Sequence, residues 1–259
     1  MIDKPDIVLG RPRSHFDVTE STNAVAKKLA AEGAPEGSVV TAAFQTAGRG
    51  RYERVWESAP GSSALVSYIL RPRRDPEEWS GLSLLAGVAV ADAIRACADL
   101  QAQLKWPNDV LLGGRKVAGI LLESGGHGTD PFVIVGIGVN LTQHAFHGEY
   151  AVPPVSLRGA GARSDDVEIF LSYLSEKMTD WYRVWDEKGA EPVLEAWRAR
   201  SDMIGSVVTV RERADLGAVR AVDLAADGAL LVECSNGSVL AIHAGDVLAH
   251  PADGEGARG

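Results

Sequence analysis

Three arginines stand close together in a glycine-rich segment, Gly48-Arg49-Gly50-Arg51-Tyr52-Glu53-Arg54. Glycine allows backbone N–H groups to approach an anion closely, and a guanidinium offers a planar set of donors that suits a carboxylate or a phosphate. The segment lacks the Gly-Lys-Ser/Thr ending of a nucleotide-binding P-loop. Taken alone, the pattern fits a site for an acyl phosphate and a solvated basic loop equally well.

A second group, Lys105-Trp106-Pro107-Asn108-Asp109, combines a cation, an amide and a carboxylate. Because proline restricts the residue before it, we expect a rigid corner after a strand. Asp109 could help to hold Mg²⁺, which proteins usually bind through one or two carboxylates together with substrate phosphates. If this segment stood alone, an ordinary Pro-Asn-Asp turn would be the favoured interpretation.

Two strand-like segments with internal glycines complete the set. Lys116 begins an apolar run, where its ammonium could meet a carboxylate in a cavity, and Gly119 would let a ligand reach the backbone. In isolation, a lysine at a sheet edge is the simpler interpretation. The run Gly136-Ile137-Gly138-Val139-Asn140 lacks the third glycine of the fingerprint that binds dinucleotides, and no clear helix follows it. We therefore reject dinucleotide binding for this segment. Asn140 could still hydrogen-bond a ligand.

Short strands joined by tight turns carry these motifs. The pattern predicts strands over 38–44, 64–70, 103–105, 109–112, 116–123 and 132–139, and helices over 21–33, about 75–99, about 164–188 and 192–200. Ser80-Gly81 could break the second helix, and Gly113-Gly114 suits a tight turn. The succession favours antiparallel pairing over a doubly wound sheet, and residues 45–61 form a long loop of a kind that is often functional.

The composition changes after Met203. Short β-rich runs follow over 207–210, 219–224, 230–233 and 239–242, with Asp227-Gly228 and Asn236-Gly237 as hairpin signals. We therefore predict one domain over residues 1–202, a small β-barrel over 203–250 and a disordered polar tail over 251–259.

Composition narrows the class of protein. The chain has 259 residues and a net charge of -9, which disfavours sequence-independent binding to nucleic acid. Two cysteines, Cys97 and Cys234, cannot build a disulfide framework, and His144 and His147 lack a further metal ligand in register. We see no signal peptide and no apolar run long enough to span a membrane, so we expect a cytoplasmic protein with reduced thiols.

Taken in order along the chain, the motifs closely resemble those of bacterial biotin–protein ligases. The matching segments are Ser21-Thr22-Asn23, Gln45-Thr46-Ala47-Gly48-Arg49-Gly50-Arg51, Trp56, Lys105-Trp106-Pro107-Asn108-Asp109, Lys116-Val117-Ala118-Gly119-Ile120-Leu121 and Gly136-Ile137-Gly138-Val139-Asn140. The resemblance runs from about Ser14 to His250 and includes a Ser156-Leu157 pair. It implies an α+β fold with a mixed, largely antiparallel sheet flanked by helices, like a class II synthetase, followed by an SH3-like barrel.

The resemblance also implies a reaction and its residues. Biotin and ATP would form biotinyl-5'-AMP and pyrophosphate, and biotin would then pass to a lysine of the biotin carboxyl carrier domain of an acyl-CoA carboxylase. The implied biotin contacts are Ser21, Thr22, Asn23, Gln45, Arg49, Gly50, Arg51, Trp56, Lys116 and Gly119. The implied ATP contacts are Arg51, Arg54, Lys105, Asn108, Asp109 and Asn140, with Asp109 also holding Mg²⁺ and with Arg51, Lys105 and Lys116 as the catalytic residues.

One residue departs from the family pattern, and other functions stay open. Family members usually have glycine where this chain has Glu53. Bifunctional members carry an N-terminal winged-helix domain, and 20 residues before Ser21 are too few for one, so we expect no binding to DNA. The alternatives are a lipoate–protein ligase and a biotin-binding module without catalysis; a nucleic-acid regulator is the weakest.

Overall fold

The computed structural model describes residues 7–126, 130–148 and 150–250, apart from the side chains of Glu53, Ala249 and His250. The tail predicted over 251–259 lies outside these residues. The described chain forms a large mixed sheet with helices on both faces, followed by a small antiparallel sheet.

The first sheet has seven strands in the order β1-β2-β3-β7-β6-β5-β4. The strands are β1 (Arg13–Thr19), β2 (Val39–Gln45), β3 (Ser63–Leu70), β4 (Gln103–Lys105), β5 (Asp109–Leu112), β6 (Arg115–Gly125) and β7 (Phe132–Asn140). β1 and β2 pair in parallel, whereas the other neighbouring pairs are antiparallel. The predicted mixed, largely antiparallel sheet is therefore confirmed.

Helices cover both faces of this sheet because its central strands are apolar on both sides. The helices are α1 (Thr22–Ala31), α2 (Leu82–Ala98), α3 (Val167–Lys188) and α4 (Glu191–Arg198). Along β3, Ile69 packs with the buried alanines of α1, while Val66 and Tyr68 belong to the larger core with α2 and α3. Alternate residues of one strand thus serve two separate apolar layers.

Helix α2 lies in the larger core. A short 3-10 segment, Pro76–Gly81, precedes it, so the break expected at Ser80-Gly81 is confirmed. The expectation that no apolar run is long enough to cross a membrane was wrong, because residues Pro76–Ala98 pass that test by length and composition. The most apolar window of this segment is 78% buried inside the protein, as in the core helix of a folded domain.

The second sheet has five antiparallel strands in the order β11-β10-β9-β8-β12. They are β8 (Val207–Val210), β9 (Ala218–Leu224), β10 (Leu230–Glu233), β11 (Val239–Ile242) and β12 (Val247–His250). Their buried aliphatic side chains, such as Val208, Val219 and Leu230, belong to the same continuous core as α2. The second sheet is therefore packed against the first part of the chain.

Two strands, β1 and β12, were not predicted from the sequence. β1 is an edge strand whose side chains are mostly exposed, and its two apolar residues, Phe16 and Val18, are too few to distinguish a strand from a loop. β12 is four residues long and pairs with β8, which precedes it by a long stretch of chain.

Candidate active site

A cavity of about 550 Å³ opens where β2, β5, β6 and β7 approach the second sheet. All fifteen residues that the sequence analysis assigned to biotin or ATP line it: Ser21, Thr22, Asn23, Gln45, Arg49, Gly50, Arg51, Arg54, Trp56, Lys105, Asn108, Asp109, Lys116, Gly119 and Asn140. The structure thus brings together motifs that lie far apart in the chain. Which of these residues touch a ligand stays a prediction.

The first turn of α1 forms one end of the cavity. Ser21 is the N-cap residue in extended conformation, but its side chain makes no capping hydrogen bond. The side chain of Gln45 takes over this function, since its Oε1 accepts a hydrogen bond of 2.6 Å from the backbone N–H of Thr22. Gln45, at the end of β2, thereby joins the helix start to the arginine segment, residues 48–56, that follows it.

Two polar residues that the sequence analysis missed lie behind this end, Ser67 and Glu123. Asn23 donates through Nδ2 to Glu123 Oε2 at 2.8 Å and to the carbonyl of Leu121 at 3.3 Å. Ser67 Oγ lies 2.6 Å from Asn23 Oδ1. Gly136 makes room, because a Cβ there would stand 2.1 Å from Asn23 Oδ1. The available signal was a serine inside the otherwise apolar β3.

The arginine segment folds back on itself instead of forming an open loop. Arg49 and Val55 form an antiparallel bridge, and the N–H of Gly50 donates to the carbonyl of Arg54 at 2.7 Å. Tyr52 at the tip has a φ of 53°, which is the left-handed region. The three arginines consequently project from one short turn at the rim of the cavity.

Partners from distant parts of the chain hold these arginines. Arg49 pairs with Glu123 at 3.4 Å, and Arg54 forms an ion pair with Asp246 of the second sheet region. The hydrogen bond to Asp246 is the main reason why the pKa of Arg54 is raised above its ordinary value. Arg51 donates to the carbonyl of Gly245 at 3.5 Å. The side chain of Glu53, which departs from the family pattern, lies outside the described part of the structure.

Trp56 ends the arginine segment and lies against the backbone of two strands. A Cβ on Gly138 would stand 2.6 Å from the indole Cε2, and one on Gly119 would stand 3.2 Å from Cζ3. The two glycines therefore let the indole lie flat on the sheet. Its Nε1 is buried without a hydrogen-bond partner among the residues that the structure describes.

Two lysines and one carboxylate face each other across the cavity. Lys116 Nζ lies 2.5 Å from Asp109 Oδ1, and the two side chains are 29% and 17% exposed. Lys116 is therefore not a solvated lysine at a sheet edge. Burial lowers the pKa of Lys105 below the ordinary lysine value, while the charges of Asp109 and Asp246 oppose that shift.

Asn108 and Asn140 differ in whether their side chains keep a hydrogen-bonding atom available for a ligand. The side chain of Asn108 is used within the fold, because its Nδ2 donates to the carbonyl of Ile120 at 2.7 Å, and the backbone carbonyl of Asn108 accepts from Ile120 N–H at 3.0 Å. Asn140 donates to the carbonyl of Val155 at 3.2 Å, but its buried Oδ1 has no partner among the described atoms. Asn140 thus offers an open acceptor to a ligand N–H group.

The second sheet closes one side of the cavity. Val247 and Leu248 of β12 line it together with Arg211 and Asp246, which adjoin the ends of β8 and β12, and none of the four was proposed from the sequence. The indole of Trp106 fixes this side, since its Nε1 donates to the carbonyl of Gly228 at 2.9 Å. No local spacing links these residues to the arginine segment, because they meet only in the tertiary structure.

Comparisons with known proteins identify the family. The family model described as Biotin/lipoate A/B protein ligase family matches residues 15–140, and the model described as Biotin protein ligase C terminal domain matches residues 203–248. The fold resembles that of the biotin protein ligase from Aquifex aeolicus in complex with biotin and ATP, with a TM-score of 0.78, 24% identity and coverage of 93% of this chain and 100% of that chain. These likenesses confirm the α+β fold with an SH3-like C-terminal part.

Curated relatives agree at the level of sequence. The biotin–[acetyl-CoA-carboxylase] ligase of Paracoccus denitrificans is 42% identical, covering 74% of this chain and 82% of the relative. The biotin–[acetyl-CoA-carboxylase] ligase of Mycobacterium tuberculosis is 37% identical, covering 89% of this chain and 86% of the relative. The bifunctional ligase/repressor BirA of Bacillus spizizenii is 35% identical, covering 93% of this chain and 74% of the relative. The cavity and these relatives together show that the chain belongs to the biotin protein ligase family.

Proposed function

We propose that the protein activates biotin with ATP and transfers it to a lysine of a biotin carboxyl carrier domain of an acyl-CoA carboxylase. The observation that carries this proposal is the single cavity that collects all of the predicted biotin and ATP residues. One end offers hydroxyl and amide groups, which suit the ureido ring of biotin. The other end offers Lys105, Lys116 and the arginines, which suit a carboxylate and phosphates.

The first step joins biotin to AMP. The biotin carboxylate is ionised at pH 7 and needs no general base. A carboxylate oxygen attacks the α-phosphorus, a P–O bond forms, and the bond to the leaving pyrophosphate breaks. Both reactants are anions, so the enzyme has to hold them together and neutralise their charge. Lys116 can bind the carboxylate by exchanging its partner Asp109, while Arg51 and Lys105 can bind the phosphates.

The nucleotide end has further groups for ATP. The open Oδ1 of Asn140 can accept a hydrogen bond from the adenine amino group. Asp109 and Asp246 line the same cavity, a donor set that fits Mg²⁺ bound through one or two carboxylates and substrate phosphates. When bound there, Mg²⁺ would supply neutralisation of the phosphate charge. Among the described residues, no group of three or more His, Cys, Asp or Glu side chains forms a site of its own.

The second step transfers biotin to the acceptor. The neutral lysine amine of the carrier domain attacks the carbonyl carbon of the mixed anhydride, a C–N bond forms, and the C–O bond to AMP breaks as the amine loses a proton. Until that lysine arrives, water must be kept away from the anhydride. The arginines stand at the cavity rim, where they can cover the intermediate.

Pyrophosphate release by the pure protein tests the reaction. We expect release only when biotin, ATP and Mg²⁺ are present together. Formation of ADP and inorganic phosphate would contradict adenylation. Lipoate in place of biotin tests the lipoate–protein ligase alternative, and tight biotin binding without pyrophosphate release would instead indicate a binding module.

We also infer a cytoplasmic location for this reaction. Cys97 and Cys234 are both free thiols, as is usual in a reducing compartment. Fractionation of cells that produce the protein, followed by detection of the chain in the soluble fraction, tests this inference.

A further inference from the structure

A buried serine that does not line the cavity connects the polar residues that do. Ser67 lies in the middle of β3 and is 0% exposed. Its hydroxyl oxygen lies 2.8 Å from Thr22 Oγ1 and 2.6 Å from Asn23 Oδ1. Thr22 and Asn23 are each 4% exposed and form part of the cavity wall. Ser67 is thus placed behind two residues that we assign to biotin.

The proton of Ser67 can serve only one of these contacts, since a hydroxyl has a single proton. Asn23 Nδ2 faces the carboxylate of Glu123 at 2.8 Å, so the amide oxygen must be the atom that faces Ser67. Turning the amide over would set two oxygens against each other. An amide oxygen has no proton to give, and the proton of Ser67 therefore goes to Asn23.

The proton of Thr22 follows from this assignment. The 2.8 Å contact between Thr22 and Ser67 becomes a hydrogen bond only if Thr22 is the donor. Gln45 Oε1, 3.0 Å from Thr22 Oγ1, accepts from Thr22 N–H at 2.6 Å and could accept a second hydrogen bond, but a Thr22 proton placed there would leave the Thr22 and Ser67 oxygens facing each other at 2.8 Å with no proton between them. A Thr22 hydroxyl that gives its proton to Ser67 turns its free lone pairs toward the cavity as acceptors.

We propose that Ser67 is a positioning residue of the biotin site, which takes up the proton of Thr22 and so makes Thr22 an acceptor for a ureido N–H of biotin. The proposal rests on the assignment of biotin to the α1 end of the cavity. Without Ser67, nothing fixes the Thr22 proton, which can turn to Gln45 Oε1 at 3.0 Å or toward the ligand N–H, and in the second orientation donor would meet donor. Asn23 keeps the hydrogen bonds of its amide to Glu123 and to the carbonyl of Leu121, so the change reaches biotin through Thr22.

Direct binding of biotin to the full chain, measured by calorimetry without ATP, tests this proposal. We expect Ser67→Ala to raise the Kd for biotin roughly 10-fold, the size of one lost buried hydrogen bond. The kcat at saturating biotin and the KM for ATP should stay within about twofold, since the nucleotide end is untouched. Ser38→Ala is the matched control, because Ser38 is also buried and donates to the carbonyl of Pro35 at 2.6 Å far from the cavity. It should leave the Kd for biotin at the parent value.

A double variant separates positioning from mere support of the fold. Thr22→Val alone should raise the Kd for biotin, and in that background Ser67→Ala should add less than about twofold, because the group it acts on is gone. An additive second effect would overturn the proposal. If Ser67→Ala does not fold, Ser67→Cys keeps the volume with a weaker donor and should raise the Kd several-fold; a parent value would refute the proposal.

The remaining outcomes separate this proposal from the site assignment. If Ser67→Ala binds biotin as tightly as the parent while Thr22→Val does not, Ser67 has no positioning function but the biotin site stands. If neither variant changes the Kd, both the positioning function of Ser67 and the assignment of biotin to this end of the cavity are wrong.

Discussion

Lys116 shows what a single charged pair in the cavity can contribute. Its ammonium lies 2.5 Å from Asp109, and both side chains are largely shielded from water. The attraction between such groups is screened less than between exposed ones. A substrate carboxylate that replaces Asp109 as the partner of Lys116 is shielded from water in the same way. The ion pair with Lys116 therefore stabilises the bound carboxylate.

We therefore expect Lys116→Ala to lower kcat/KM for biotinyl-AMP formation, because a partly buried charge loses its partner. The decrease should correspond to a loss of about 2–5 kcal/mol of transition-state stabilisation. Pyrophosphate release at varied biotin measures this. Lys28→Ala is the control, since Lys28 is 77% exposed and lies 4.0 Å from Glu32 on the surface of α1. Parent rates for the Lys116 variant would show that the carboxylate binds elsewhere.

At the scale of elements, the arginine segment is closed by backbone hydrogen bonds of its own, and ion pairs connect its arginines to the rest of the chain. Arg49 and Arg54 are about half exposed in their pairs with Glu123 and Asp246. Exposed pairs typically contribute about 0.2–1 kcal/mol each. The glycines make the backbone costly to order, and the arginines repel one another. These opposing contributions are similar in size, so a bound anion can decide whether the segment stays closed.

Hydrogen exchange over residues 45–56 tests this balance. We expect weak protection in the free protein and much stronger protection with biotin, because the ligand supplies the compensating negative charge. The buried strand β3, residues 63–70, is the internal control and should exchange alike in both states. Equal and strong protection of the segment with and without biotin would show a preformed site.

At the scale of the whole molecule, the second sheet completes the cavity. Trp106 binds it through the hydrogen bond from Nε1 to Gly228, and Ser80 Oγ donates to the carbonyl of Asp227 at 2.5 Å. Residues from both parts of the chain also share one core. The predicted domain boundary near residue 203 stays a prediction, but the two parts depend on each other at the active site.

Trp106→Phe removes the indole hydrogen bond and leaves the Gly228 carbonyl without it. We expect the free energy of unfolding to fall by about 1–3 kcal/mol and the KM for ATP to rise, because the side of the cavity formed by the second sheet moves away. Trp181→Phe is the control: its Nε1 donates to Asp92 at 2.8 Å, away from the second sheet. It should lower stability without changing the KM for ATP. A KM for ATP that changes equally in both variants would contradict this coupling.

Much of the local structure was readable from the sequence. The bounds of β10 and β11 match their prediction, because hairpin turns at Asp227-Gly228 and Asn236-Gly237 mark them, and those of β8 match as well. Helix α3 begins at Val167 rather than near 164, since Asp166 caps it by accepting from Ile169 N–H at 2.9 Å. Such boundary shifts depend on which of several polar residues adopts the capping geometry.

The ligand motifs could be found in the sequence because each combines its chemistry within a few neighbouring residues. The arginine segment and the Lys105–Asp109 corner already contain the charges and amides that phosphates and carboxylates require. What the residues around them do was decided only in three dimensions. Asp246 reaches Arg54 across 192 residues of chain, and Ser67 reaches Asn23 across 44. No local pattern encodes such contacts, because a buried hydroxyl or a distant carboxylate acquires its partner only when the sheets and α1 pack.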